Sequence, residues 1–208
     1  MPLIDFILHI DVHLAQLISV YGGLTYAIVF IIIFVETGLV FTPFLPGDSL
    51  LFAAGALAAI GDFKIGEIML VLVLAAILGD TTNFWIGHFA GEKLIANPRV
   101  PIKKEHIDKT QAFFNKYGAK TVTLGRFIPI VRTFTPFVAG VGKMPYLKFI
   151  RYSVLGALTW VTLFTLAGFW FGNIPAIKHN FSLVIMGIIL ISILPMIIEA
   201  VKHKYKRA

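Results

Sequence analysis

The chain has 208 residues, of which 58% are hydrophobic and 14% charged, against roughly 25% charged in an ordinary soluble domain. With a mean hydropathy of +0.86, it has too few polar side chains to coat a soluble core, so lipid must cover much of its surface. The formal net charge is +7, but the bases gather at the ends of apolar segments and read as orientation signals rather than a nucleic-acid footprint. The absence of cysteine excludes disulfides and thiolate metal sites.

The start carries neither the basic stretch nor the small-residue cleavage site of a signal peptide, so no segment is expected to be removed. Residues 1–20 set Ile4, Ile7, Leu8 and Leu14 among Asp5, His9, Asp11 and His13, the mix of a helix lying in the membrane interface. Residues 24–43 are long and apolar enough to cross, as are 65–89, 152–172 and 181–198, since about 20 residues span the hydrocarbon. Two further apolar stretches are interrupted. Residues 37–60 contain Pro43, Pro46 and Gly47, and residues 121–141 contain Pro129, Pro136 and Gly140. Proline lacks the amide and clashes with the preceding turn, and broken backbone at membrane depth survives only where protein or a wet cavity surrounds it. Both stretches therefore read as re-entrant hairpins.

The hairpins also match each other. Phe41-Thr-Pro-Phe-Leu-Pro-Gly47 and Phe134-Thr-Pro-Phe-Val-Ala-Gly140 share five of seven residues, which suggests a structural repeat. The basic loop, about 92–120, contains Lys93, Arg99, Lys103, Lys104, Lys109, Lys116 and Lys120, and the tail contains Lys202, Lys204, Lys206 and Arg207. Both are expected to be cytoplasmic. Counting spans from there, the first hairpin enters from outside and the second from the cytoplasm, as an inverted repeat requires. The expected fold is thus one all-α integral membrane domain over 1–208. It has about four transmembrane helices, two opposed hairpins and an N-terminal interfacial helix. Within the basic loop, Ile107, Thr110, Phe114 and Tyr117 share one face of a helix that is expected to lie on anionic headgroups, with protein docking as the alternative.

Glu36, Asp48, Asp80, Arg126 and Arg132 lie within or beside these apolar segments. Each would cost roughly 2.5–3.5 kcal/mol at the bilayer centre, so unpaired they would together cost on the order of 12–17 kcal/mol. They must pair or line water. Buried ion pairs stabilise less efficiently than apolar packing, which favours a functional role over mere glue between hairpins. Arg126 and Arg132 flank Pro129 closely enough to converge on one phosphate, which the planar guanidinium fork suits. Glu36 and Asp48 can gain protons when buried or when a neighbouring charge changes. Asp80, with Asn83 and His88, is a secondary candidate, and His88 reads as packing rather than a proton relay. Trp85, Trp160 and Trp170 read as interface anchors, while the Gly87/Gly91 and Gly168/Gly172 spacings are too common to carry weight. No HExxH, GxSxG, Walker loop or metal-spaced histidine cluster is present, so no enzyme activity, metal or cofactor is expected.

The segment Glu36-Thr-Gly-Leu-Val-Phe-Thr-Pro-Phe-Leu-Pro-Gly-Asp48-Ser-Leu-Leu-Phe, followed by Gly125-Arg126-Phe-Ile-Pro-Ile-Val-Arg132-Thr-Phe-Thr-Pro-Phe-Val-Ala-Gly140, resembles the DedA family of bacterial inner-membrane proteins. The resemblance covers nearly the whole chain. That family shares its VTT (SNARE-associated) core with eukaryotic lipid scramblases. Its bacterial members are associated with envelope integrity, transport that depends on the proton-motive force, and recycling of undecaprenyl phosphate. The resemblance implies that Glu36 and Asp48 take the acidic family positions and Arg126 and Arg132 the basic ones. The resulting expectation is a flippase of an anionic lipid, undecaprenyl phosphate or a phospholipid, with lipid phosphate and protons as partners and with the C-terminus cytoplasmic. A proton-coupled ion or small-solute antiporter and a non-transporting scaffold are the alternatives. No nucleic-acid partner is expected, and a homo-oligomer is compatible with this reading.

Overall fold

A computed structural model describes residues 22–40, 47–96 and 104–174. The expected interfacial helix at 1–20, Pro43, Pro46, the expected span at 181–198 and the basic tail lie outside the described residues. The helices are α1 (Leu24–Gly38), α2 (Gly47–Ile60), α3 (Ile65–Ala96), α4 (Lys104–Tyr117), a single turn α5 (Thr121–Leu124), α6 (Pro129–Val141) and α7 (Tyr146–Gly172). One 3₁₀ turn precedes α5 and another, Gly125–Phe127, follows it, and no strand occurs among the described residues. The fold is all-α.

Local chemistry sets these boundaries. At the start of α2, Asp48 places an acid in the first turn, where the helix dipole favours it. The same helix closes at Gly61, whose φ of 98° suits glycine, with Gly61 N–H donating to Ala58 and Asp62 N–H to Leu57. Pro129 opens α6 and forces the residue before it out of the helical region, so Ile128 is extended at φ −119° and ψ 110°. The expected break in residues 121–141 therefore falls at Ile128. Pro136 and Gly140, expected as breakers, instead lie inside α6. Pro136 removes one ladder bond, and the Thr135 hydroxyl donates to the Val131 carbonyl at 2.6 Å in the same turn.

Among the described residues, α3 and α7 are long and apolar enough to cross a membrane. They extend the expected spans to Ala96 and back to Tyr146. By contrast, α2 with 14 residues and α6 with 13 reach only about 20 Å at ~1.5 Å per residue, short of the ~30 Å hydrocarbon core.

Contacts divide the chain into two compact units that interleave along the sequence, so no single cut separates them. Of the described residues, the first holds 22–28, 47–69 and 163–174, and the second holds 29–40, 70–96 and 104–162. In the first unit α2 crosses the end of α7. A methyl group on Gly55 would overlap the Thr165 carbonyl oxygen, and one on Gly168 would overlap that of Phe52. In the second unit α6 crosses α3 the same way, Gly140 lying on the Phe84 carbonyl and Gly87 on that of Phe137. Backbone approach this close requires glycine. These crossings equate Phe52-x-x-Gly55 with Phe137-x-x-Gly140. The seven-residue match had instead aligned Gly47, which opens α2, with Gly140, near the end of α6. The register of the crossings is set by which small residue faces the neighbouring backbone.

The amphipathic α4 packs on protein. Ile107 and Phe114 join Val40, Phe134, Phe137 and Val138 in one apolar cluster, and His106 meets the Phe134 ring edge-on at 5.2 Å. Thr110 is fully buried, and its hydroxyl donates to the His106 carbonyl. The expected headgroup-facing role for that apolar face is corrected, because α6 offers it a complementary apolar surface.

Candidate functional site: a buried arginine pair

The second unit gathers Glu36 from α1, Asp80 and Asn83 from α3, Arg126 from the 3₁₀ turn before Pro129, Arg132 from α6, and Ser153 and Trp160 from α7. Arg126 Nη2 donates to Asp80 Oδ2, and their side chains are 3% and 7% exposed. The Ser153 hydroxyl donates to the same carboxylate oxygen at 2.6 Å. Arg132 Nη2 donates to Glu36 Oε1 at 2.8 Å. Both guanidiniums also approach one indole, with Arg126 5.4 Å and Arg132 5.2 Å from the centre of the Trp160 ring. A desolvated aromatic face attracts cations by about 2 kcal/mol or more, so Trp160 draws the two like charges together.

Glycines let the elements around the charges pack closely. Gly79, beside Asp80, lies so close to Thr37 that a methyl group would overlap its hydroxyl. A methyl on Gly156 would meet Arg126 Nε at 3.4 Å, and one on Gly125 would meet Val131 and Thr135 within 3 Å. Asn83 ties the cluster's two sides together: its Nδ2 donates to the Thr37 carbonyl at the end of α1, at 3.0 Å, and to the Thr133 carbonyl in α6, at 3.1 Å. Arg126 Nη1 and Asn83 Oδ1 are buried and have no hydrogen-bond partner among the described residues. A buried guanidinium N–H is costly to leave unmet. Chemically, the described residues bring two ion pairs together, with one guanidinium edge of Arg126 open to an oxyanion.

Arg126, Arg132 and Glu36 were expected to meet, and they do so within one unit. Asp48 is half-buried in the first turn of α2, in the first unit. Asp80, ranked second from sequence, is the partner of Arg126. Trp160 is fully buried rather than an interface anchor, whereas Trp170 is 68% exposed. Ser153 gave no signal, being one hydroxyl among many in apolar helices. For Asp80 the signal was its position near the middle of the longest apolar helix. His88 packs edge-on to Trp85 and Phe89 in an aromatic cluster. No three His, Asp or Glu side chains gather as a metal site among the described residues.

Residues 45–170 match the family model described as the VTT domain. The chain is 56% identical to Protein DedA of Escherichia coli (strain K12) over 97% of its own length and 94% of that protein. It is 40% identical to an uncharacterized membrane protein of Mycobacterium tuberculosis (strain ATCC 25618 / H37Rv), covering 88% of this chain and 82% of the other. Inner membrane protein YqjA of Escherichia coli (strain K12) is 32% identical over 74% of this chain and 70% of its own. No solved structure matches.

Proposed function

This chain belongs to the DedA family of VTT-domain membrane proteins, and on that premise we propose that it moves an anionic lipid, undecaprenyl phosphate or a phospholipid, across the bacterial inner membrane. The observation that carries this reading is the buried guanidinium pair over Trp160, with Arg126 Nη1 unmet. Arginine in an apolar helical setting is expensive, and its planar fork suits phosphate oxygens. Binding the headgroup there, with the prenyl or acyl tail left in lipid, confines the polar work to one small site. In this reading α2 and α6, too short to cross, belong to two opposed re-entrant hairpins, and the clustering of bases puts the loop at Lys104 and the C-terminus on the cytoplasmic side. Proton-motive force would drive the movement through carboxylates that change partners, with Glu36 and Asp48 as the family acids.

The test is translocation of labelled undecaprenyl phosphate and of phospholipid by the full chain in proteoliposomes, with protein amount checked in parallel. Arg126→Lys and Arg132→Lys keep the charge but lose the fork. Charge-assisted bonds are typically worth ~1.5–3 kcal/mol each, so each substitution is expected to slow transport at least about tenfold. Lysine variants that move lipid at parental rates would favour the antiporter, which needs only counter-charge.

A further inference from the structure

The ion pairs at the site bear on how an anion enters it. Among the described residues Arg126 pairs with Asp80 and Arg132 with Glu36, all buried or nearly so. A phosphate arriving here brings negative charge into a medium that penalises it, and the least costly relief is a proton on a carboxylate. The two carboxylates are not equivalent. The guanidinium of Arg126 already has an unmet edge at Nη1, so an oxyanion can begin to bind there while Asp80 still holds Nη2. Asp80 also has a second partner in Ser153, whose hydroxyl donates to the carboxylate and can equally accept from the acid. Among the described residues, the charge of Arg132 on α6 also reaches Asp80, Glu36 of α1 is bound to Arg132, and Asn83 lies on the helix of Asp80.

We infer that Asp80 couples anion binding to a proton: a phosphate oxyanion displaces it from Arg126, and Asp80 takes up one proton while Ser153 retains it. The inference rests on the reading of Arg126 as a phosphate-binding residue. No covalent bond to the ligand changes. The Arg126 N–H bonds pass from carboxylate to phosphate oxygens, and one O–H bond forms on Asp80 with a proton from solvent. Asp80 thus acts as an internal stand-in for the ligand, and it makes the site prefer arrival of phosphate together with a proton.

The experiment uses the purified full chain in a nonionic detergent, titrated with dodecyl phosphate in two buffers of different ionisation heat, which counts the protons exchanged. The parent is expected to take up about one proton per phosphate bound at mildly alkaline pH. Asp80→Asn should take up none and bind dodecyl phosphate about tenfold tighter there, since no carboxylate competes for Arg126. Ser153→Ala, the variant that keeps the ion pair, should retain the uptake of about one proton, because the proton goes to Asp80; its loss there overturns the assignment. Uptake unchanged in Asp80→Asn, or abolished by Glu36→Gln instead, overturns the assignment. Phosphate binding by the parent without uptake overturns it while leaving the phosphate site standing. No binding by the parent removes both.

Discussion

The two units use one packing device for different ends. Each crosses a short helix with a long one through reciprocal glycines lying on carbonyls three residues before the opposite glycine. Four residues before the glycine of the long helix, the second unit has Asn83 and the first has Phe164. Eight residues before the glycine of the short helix, the second unit has Arg132 and the first has Gly47. Among the described residues, the ion pairs Arg126–Asp80 and Arg132–Glu36 lie at the second crossing. The tight glycine approach is therefore architecture that both share, and the site is what the second unit adds to it.

The sharpest way to break this comparison is to remove one member of an ion pair. Asp80→Ala leaves the Arg126 charge buried without its partner and is expected to cost about 3–5 kcal/mol, read as loss of thermal stability in detergent. The double variant Asp80→Leu with Arg126→Leu should recover most of that stability while abolishing transport. A double variant as unstable as the single one would mean that the cluster is held for the fold rather than for its charge.

Next in size are the crossings themselves. Gly87→Ala and Gly140→Ala, like Gly55→Ala and Gly168→Ala, force a methyl into backbone and should each cost about 1–3 kcal/mol. The four should be alike in stability. They should differ in transport per folded molecule, which falls further for the second-unit pair, because that crossing positions Arg132 and Asn83. Equal losses of transport would dissolve the distinction between shared architecture and local chemistry.

These glycines also mark where the sequence stopped being legible. Hydropathy and the cost of charge found α1, α3 and α7, both arginines and Glu36, because an expensive residue in an apolar run announces itself. Pairing was legible only in part. Glu36 was set against the arginines because it flanks the first proline-broken segment, and it takes Arg132, but Arg126 takes Asp80, which lies on an unbroken helix. Trp160 and Ser153 carry no local mark of burial, and the four crossing glycines look like any others in a small-residue-rich membrane sequence. The break at Ile128 was legible because proline acts on its immediate neighbour, whereas Pro136 was misjudged because a helix can lose one bond and continue.

A smaller effect is expected at Asn83, where the crossings differ in kind. Asn83→Leu removes the donor serving the Thr37 and Thr133 carbonyls at membrane depth, and should cost about 1–3 kcal/mol. At the answering position Phe164→Leu exchanges one half-buried apolar side chain for another and should cost less than about 1.5 kcal/mol. Thermal melts of the two variants side by side read the difference. A larger loss for Phe164→Leu would place the weight of each crossing in apolar packing rather than in the polar tie.

The smallest effect concerns how the two short helices end. Both close with the same backbone pattern: Asp62 N–H reaches the Leu57 carbonyl after α2, and Met144 N–H reaches that of Ala139 after α6. The left-handed residue is Gly61 at φ 98° in the first and Lys143 at φ 51° in the second. A left-handed side chain costs roughly 1–2 kcal/mol, while glycine gives back about 0.4–1 kcal/mol through the extra freedom of the unfolded chain. The difference favours glycine by no more than about 1.5 kcal/mol. Lys143→Gly should therefore raise the melting temperature slightly and Gly61→Ala should lower it by a similar amount. Both changes lie at exposed turns and touch no group of the charge cluster, so transport per folded molecule should stay at the parental level in each. A stability gain at Lys143 accompanied by slower transport would mean that the strained turn serves the second unit's function, and would extend the difference between the two units from their crossings to their caps.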